Sequence, residues 1–434
     1  MNFSQSAVFS VLASFGLLLI NLFISIIEAR VLGPEEIGRF QVYITTQTYI
    51  ATICALGIGQ SCIYFINALN VNERKVLSTS VNSSIFLASL AFVALFIIII
   101  FNNKIFGSDS LASICLFSLG TSAMIINNIF TPVLLAKMEV LKNQIIKYST
   151  RTITLGVLLL CLLLRTGLDV GFLIGLTGIT NVVSLILLYY YFKDRFSFRD
   201  GIDFSLLGRI SLFGLKLSGN NIASITLSSI PVYFLTWFSI GDGLLDVGYY
   251  GRANSLLVIG TVISTTIGPL LYSKWSGLDE EKLKQQVRRI SLIYIVINIL
   301  ITAFLAIAAP ILIKLLYGPQ YIASIVILQV LSISVIANGI KEICYGVLSS
   351  QGQPTRILKN LLIGIILCAL LNYIIIPKYG VVGCAVITSL ISFVTAGMLV
   401  VDITRITRIE LKDFFSLPSK EEIYQLAKHL FKRA

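Results

Sequence analysis

Residues 78–100 read STSVNSSIFLASLAFVALFIIII, running from Ser78 to Ile100 without one charged side chain. A helix of about 20 mostly apolar residues crosses a bilayer, whereas a barrel strand takes only about 10. The run therefore reads as a membrane-spanning helix. Working outward, eleven further stretches of this kind lie near 6–27, 41–66, 111–135, 149–164, 170–192, 210–238, 247–272, 290–311, 322–348, 361–376 and 381–403. Composition agrees. Of the 434 residues 56% are hydrophobic and only 12% charged, with a mean hydropathy of +0.90. A soluble domain carries about 25% charged residues, so soluble and disordered classes are excluded. The first stretch lacks the basic flank and cleavage site of a signal peptide, so it reads as a retained helix. The expected fold class is an all-α integral membrane protein with twelve transmembrane helices.

The 33 Lys and Arg residues outnumber 21 Asp and Glu, for a net charge of +12. Cytoplasmic loops carry the excess of cations. On one side lie the N-terminus and segments 67–77, 136–148, 193–209, 273–289, 349–360 and 404–434, with 23 of the 33 cations; the opposite loops hold 6. Both termini are expected to be cytoplasmic. Most of the net charge then records orientation and contact with membrane lipid, and no nucleic-acid partner is expected.

An internal repeat is visible. IGRFQVYITT around Gly38-Arg39 returns as YGRANSLLVI around Gly251-Arg252, an offset of 213. Phe106-Gly107 returns as Tyr317-Gly318 and Asn127 as Asn338, both at 211, and Gly171 returns as Gly383 at 212. Such self-similarity marks a duplicated architecture. The expected plan is two parallel six-helix halves, 1–200 and 201–403, around a central cavity, as in transporters that rock two bundles about one site. Residues 404–434 form a tail, with Ser419-Lys420-Glu421-Glu422 as a capping box and a basic amphipathic helix after it.

Polar residues recur at helical spacing inside the spans: Ser10, Ser14, Asn21, Ser25 and Glu28 in the first, and Lys216, Asn220, Ser224 and Ser228 in the seventh. The tenth carries Ser334, Asn338, Lys341, Glu342, Tyr345 and Ser349. Polar groups facing lipid are costly, so such stripes face protein or water. A single Ser or Thr more often joins two helices. Four cations fall within spans: Arg151, Lys216, Arg252 and Lys341. Arg151 and Arg252 lie near span ends, from which their charges can snorkel to the interface. Lys216 and Lys341 lie about 9–10 Å deep at 1.5 Å per residue. With Arg39 at the outer mouth, these residues and Asn220 and Asn338 are the candidate binding groups for an anionic substrate. Glu342 and Glu28 are the candidates for carrying a coupling ion. Pro132, Pro231, Pro269 and Pro310 within spans mark expected kinks.

No catalytic set is legible. His429, the one histidine, lies in the tail, and the seven cysteines all fall in apolar spans without a C-x-x-C pair. They read as small core residues rather than metal ligands or disulfides. There is no phosphate-binding G-x-x-x-x-G-K-[ST] loop. No cofactor and no enzymatic activity are expected.

Arg30-Val31-Leu32-Gly33-Pro34, followed by Gly38, resembles the R-x-L-G-P-x-x-x-G signature after the first helix of bacterial polysaccharide-export proteins. Leu56-Gly57-Ile58-Gly59 resembles their second-helix glycine pair, and Pro377 to Ala385 their P-x-x-G-x-x-G-A turn. Gly346 to Pro354 resembles the cytoplasmic turn before their eleventh helix. The chain thus resembles Wzx-type flippases of O-antigen or capsular repeat units, in the multidrug/oligosaccharidyl-lipid/polysaccharide superfamily. The resemblance implies transfer of an undecaprenyl-diphosphate-linked oligosaccharide across the bacterial inner membrane, through a basic cavity between the halves. It also implies work beside a polysaccharide polymerase and chain-length proteins in lipopolysaccharide or capsule assembly. Two alternatives stay open. An ion-coupled small-molecule antiporter would need an acidic cavity, and a membrane glycan polymerase or ligase a large outer loop.

Overall fold

The computed structural model describes residues 3–107, 109–137, 139–275, 277–407 and 409–410, apart from the side chains of 3–12, 103–104, 135–136, 140, 262–274 and 289. The expected tail helix, with His429, lies outside the described residues, as do the side chains of Ser10 and Pro269. The described chain is helical throughout: α1 (Phe3–Cys54), α2 (Ile58–Asn67), α3 (Glu73–Phe101), α4 (Asn103–Phe106), α5 (Leu111–Ala136), α6 (Val140–Leu164) and α7 (Val170–Phe192). There follow α8 (Phe204–Phe238), α9 (Gly243–Trp275), α10 (Glu280–Leu316), α11 (Ser324–Ser332), α12 (Ser334–Ser350) and α13 (Pro354–Ile406). Nine stretches among the described residues are long and apolar enough to cross a membrane.

Several expected boundaries move. The loop expected at 28–40 is absent: helix runs to Leu32 and resumes at Pro34, with only Gly33 (φ 77°, ψ 170°) non-helical. Glycine reaches this positive φ without a Cβ clash, and proline is preorganised to start the next turn. At the far end, Gly380 (φ 56°, ψ −144°) interrupts α13 in the same way. There the chain folds back on itself, because Asn360 Nδ2 donates to Asp402 Oδ2 at 2.9 Å and Arg356 Nη1 lies 3.3 Å from Asp402 Oδ1. The span expected at 149–164 begins earlier, at Val140. Arg151 is therefore eleven residues into its helix. The span expected at 41–66 is broken at Leu56 (φ 48°) and Gly57 (φ 64°).

The chain divides into two compact units, Met1–Arg252 with Leu316–Gln320, and Ala253–Leu315 with Tyr321–Ala434. Lipid tails are as apolar as leucine, so small residues and polar bonds hold such helices together. In the first unit a Cβ on Gly120 would lie 2.4 Å from Gly178 Cα, so α5 and α7 touch backbone to backbone. Ser122 Oγ donates to Ala88 O at 2.8 Å, Gln47 Nε2 to Thr121 Oγ1 at 3.1 Å, and Tyr148 OH to Ala13 O at 2.7 Å. In the second unit Ser389 Oγ donates to Val330 O at 2.9 Å and Thr302 Oγ1 to Ser332 O at 3.0 Å. These polar residues serve as joints between helices.

One contact bears on the repeat. A Cβ on Gly38 would lie 1.7 Å from Leu244 O, and one on Gly248 would lie 1.8 Å from Pro34 O. The crossing of α1 and α9 is reciprocal: Leu244 stands 210 residues after Pro34, and Gly248 stands 210 after Gly38. Reciprocal pairing of this kind is what a twofold relation produces. By this offset the counterpart of Arg39 is Tyr249, where the sequence alignment had placed Arg252.

Candidate functional site

The break at Gly33–Pro34 shapes the site. A helix leaves the carbonyls of its last turn without internal partners. Here Ala29 O accepts from Gln320 Nε2 at 2.9 Å, while Arg30 Nε donates to Leu316 O at 2.9 Å. Leu316–Gln320 is thereby docked on α1. One turn earlier, Ser25 Oγ lies 3.2 Å from Tyr317 OH.

Arg252 of α9 enters this cluster from the other side. Its Nη1 donates to Ser25 O at 3.1 Å and also to Ser25 Oγ, and its Nη2 lies 3.3 Å from Glu28 Oε2. The guanidinium also stands 5.9 Å from the centre of the Tyr317 ring. Arg252 is 5% exposed, so this is a buried ion pair. Its Nε finds no hydrogen-bond partner among the described residues. The guanidinium fork can hold two oxygens of one carboxylate or phosphate. Glu28 takes one arm of the fork and Ser25 the other. Arg151 of α6 is exposed and within electrostatic reach of Glu28. One carboxylate thus pairs with one arginine and lies within electrostatic reach of a second.

The remaining predicted residues fall elsewhere. Arg39 is half-buried, with its guanidinium against Gly107, where a Cβ would lie 2.9 Å from Nη1. Glu36 is within electrostatic reach of it, and nearby Tyr43 OH donates to Asp109 Oδ2 at 2.8 Å and to Phe106 O at 3.0 Å. Lys216 of α8 is exposed and makes no hydrogen bond or ion pair with the described residues, and Asn220 lies half-buried one turn on. In the second unit Asn338, Lys341 and Glu342 are half-buried on α12. Lys341 and Glu342 attract one another without closing to an ion pair. Thus Arg252 and Glu28 come together with Arg151 in electrostatic reach, whereas Arg39 stands apart near Glu36. Sequence reasoning missed Tyr317 and Gln320 as partners. The available signal was the return of Phe106 as Tyr317, a phenol gained at a repeated position.

The described residues form long apolar helices broken at glycines, a fold shared with solved membrane proteins. It is similar to an inward-facing multidrug-resistance MATE transporter of the MOP superfamily, with a TM-score of 0.71 and 16% identity over 90% of this chain and 94% of that one. The lipid II flippase MurJ in an inward closed conformation gives 0.70 at 15% identity, over 94% of this chain and 89% of that one. A MOP-superfamily transporter from Pyrococcus furiosus, described as having a binding pocket of reverse polarity, gives 0.68 at 16% identity over 92% and 95%. In sequence, an uncharacterised membrane protein of Methanocaldococcus jannaschii is 21% identical over 390 residues, 84% of this chain and 76% of that protein. Residues 4–271 match the family described as polysaccharide biosynthesis protein. The chain belongs to that family.

Proposed function

We propose that this protein is a flippase moving an undecaprenyl-diphosphate-linked oligosaccharide repeat unit from the cytoplasmic to the periplasmic leaflet of the bacterial inner membrane. The product would feed O-antigen or capsular polysaccharide assembly, beside a polymerase and chain-length proteins. The observation that carries this reading is the buried Glu28–Arg252 pair, with Arg151 in electrostatic reach, in a polysaccharide biosynthesis protein. A diphosphate is the chemistry such a cluster suits. In this reading α1 and α13 each cross the membrane twice and α9 once, giving twelve crossings with both termini cytoplasmic. The halves 1–200 and 201–403 alternate access, Lys216, Lys341, Arg39, Asn220 and Asn338 add to the binding groups, and Glu28 or Glu342 carries a coupling ion.

Lys216→Ala and Lys341→Ala are each expected to lower surface glycan more than tenfold at unchanged protein level in the membrane. Normal glycan in both variants removes the binding role of these lysines. Flipping measured in vesicles with the ion gradient collapsed tests the coupling: an unchanged rate excludes it.

A second reading, a multidrug antiporter, is favoured by the likeness to MATE transporters. It predicts drug sensitivity on gene deletion with normal surface glycan. The positive sign of the Arg252 cluster disfavours cationic drugs as cargo.

A further inference from the structure

The chain leaves the second unit after Leu315 and re-enters it at Tyr321, and the residues between, Leu316–Gln320, belong to the first unit. A segment that crosses from one compact unit to the other and back has the form of a clasp. It grips α1 just before the break at Gly33. Arg30 Nε donates to Leu316 O at one end of the segment, and Gln320 Nε2 donates to Ala29 O at the other, each at 2.9 Å. Gly318 (φ 95°) turns the chain between these two points, at a positive φ that glycine reaches without a Cβ clash. Arg30 and Gln320 are exposed. Hydrogen bonds at such positions exchange for water with little net change in free energy, so the grip can be released.

Tyr317 ties the clasp to the buried ion pair. It is fully buried, and the Arg252 guanidinium stands 5.9 Å from its ring centre. Ser25 Oγ is shared: it accepts from Arg252 Nη1 and lies 3.2 Å from Tyr317 OH. Hydrogen bonds joined through one group polarise and strengthen one another. Phe106, the residue that Tyr317 repeats, has no hydroxyl with which to extend such a chain. Both arms of the Arg252 fork are taken, Nη1 by Ser25 and Nη2 by Glu28. An anion that binds the fork through two oxygens needs both arms at once. It therefore displaces Ser25, and the chain Arg252–Ser25–Tyr317 breaks at its head.

We infer that Leu316–Gln320 is an outer clasp, released when a diphosphate occupies Arg252, an inference that rests on the flippase reading above. In the orientation proposed there, the segment lies at the periplasmic ends of α1 and α10. Arrival of the substrate's diphosphate at Arg252 then frees the end of α10 from α1, and the outer face can open.

Amide hydrogen exchange of residues 317–323, followed by mass spectrometry on the full-length protein in nanodiscs, reads the clasp directly. Undecaprenyl diphosphate is the ligand and undecaprenol the control, with binding measured by calorimetry on the same samples. The diphosphate is expected to speed exchange there about tenfold, as a shift between closed and open populations, and undecaprenol to leave it unchanged. Gln320→Ala removes one grip and should exchange fast with or without ligand. Tyr317→Phe keeps the packing but cuts the link to Ser25, so its basal exchange should rise and its response to the ligand shrink. Failure of the diphosphate to bind, binding without faster exchange, or an undiminished response in Tyr317→Phe overturns the clasp. Glycan transport is measured in vesicles in parallel. Transport with exchange unchanged by the ligand refutes the clasp alone, whereas release of the clasp in a protein that moves no glycan refutes the flippase reading alone.

Discussion

Glu28 and Arg252 show what a buried charge requires of its neighbours. Residue 28 stood at the edge of an expected loop and residue 252 two turns inside a span, 224 residues away. Nothing local to either says that they meet. Removing one partner of a buried pair leaves an uncompensated charge and costs about 3–5 kcal/mol. Glu28→Ala is therefore expected to lower the unfolding temperature in detergent sharply. The double variant Glu28→Ala/Arg252→Met should recover most of that loss, because a flexible apolar side chain replaces the orphaned cation, and under the proposed flippase reading it should transport no glycan. A double variant no more stable than Glu28→Ala would show that the pair does not couple.

Helices in this protein are placed by their glycines. Gly38 and Gly248 let α1 and α9 cross at backbone distance, and Gly33 turns the chain where a loop was expected. A methyl group at Gly38 or Gly248 must push a carbonyl aside, so Gly38→Ala and Gly248→Ala should each destabilise the fold. Gly156 has nothing within 4 Å of its Cβ position and an ordinary helical backbone. Alanine there should stabilise by up to about 1 kcal/mol, the difference in helix propensity. Thermal unfolding of the three variants distinguishes the cases, and a neutral Gly38→Ala would mean that the crossing yields. The R-x-L-G-P signature was legible as a motif. Its physical content was not, because a reader of the sequence cannot see that Gln320 and Leu316 dock on the turn it makes.

Across one face of the first unit, short connections are tied by ion pairs. Arg74 Nε lies 2.9 Å from Asp200 Oδ2 and Lys75 Nζ 2.8 Å from Asp203 Oδ2, while Glu139 pairs with Lys142 at 3.0 Å and Arg195 at 3.1 Å. The Arg74 hydrogen bond holds the Asp200 carboxyl below the ordinary 3.8, and the Lys75 bond does the same for Asp203. For Glu139, burial works upward, but hydrogen bonds from Lys142 and Arg195 outweigh it and keep the group below 4.5. The folded chain thus binds fewer protons at these sites than the unfolded one. Their stabilisation is complete above those ordinary values and is lost as pH falls through the lower folded-state values. Unfolding temperature should be insensitive to these groups from pH 7 to about 5 and fall below about 4. Asp200→Asn with Asp203→Asn should flatten part of that acid limb. An identical limb in the double variant would place the sensitivity elsewhere. The Arg74–Asp200 and Lys75–Asp203 pairs are the more exposed, and salt should weaken them most.

The class of protein was settled by the sequence alone, since the length and apolarity of runs such as 78–100 are local properties and the bilayer imposes one answer on them. Helix-spaced polar stripes and interior cations were legible for the same reason. Partnership was decided only by the tertiary structure. Gly33 and Gly380 replaced expected loops with single-residue breaks, Arg151 moved into the middle of its helix, and Glu28 became the counter-charge of Arg252. Backbone approach and charge pairing depend on residues brought together from distant parts of the chain, and no window along the sequence contains both members.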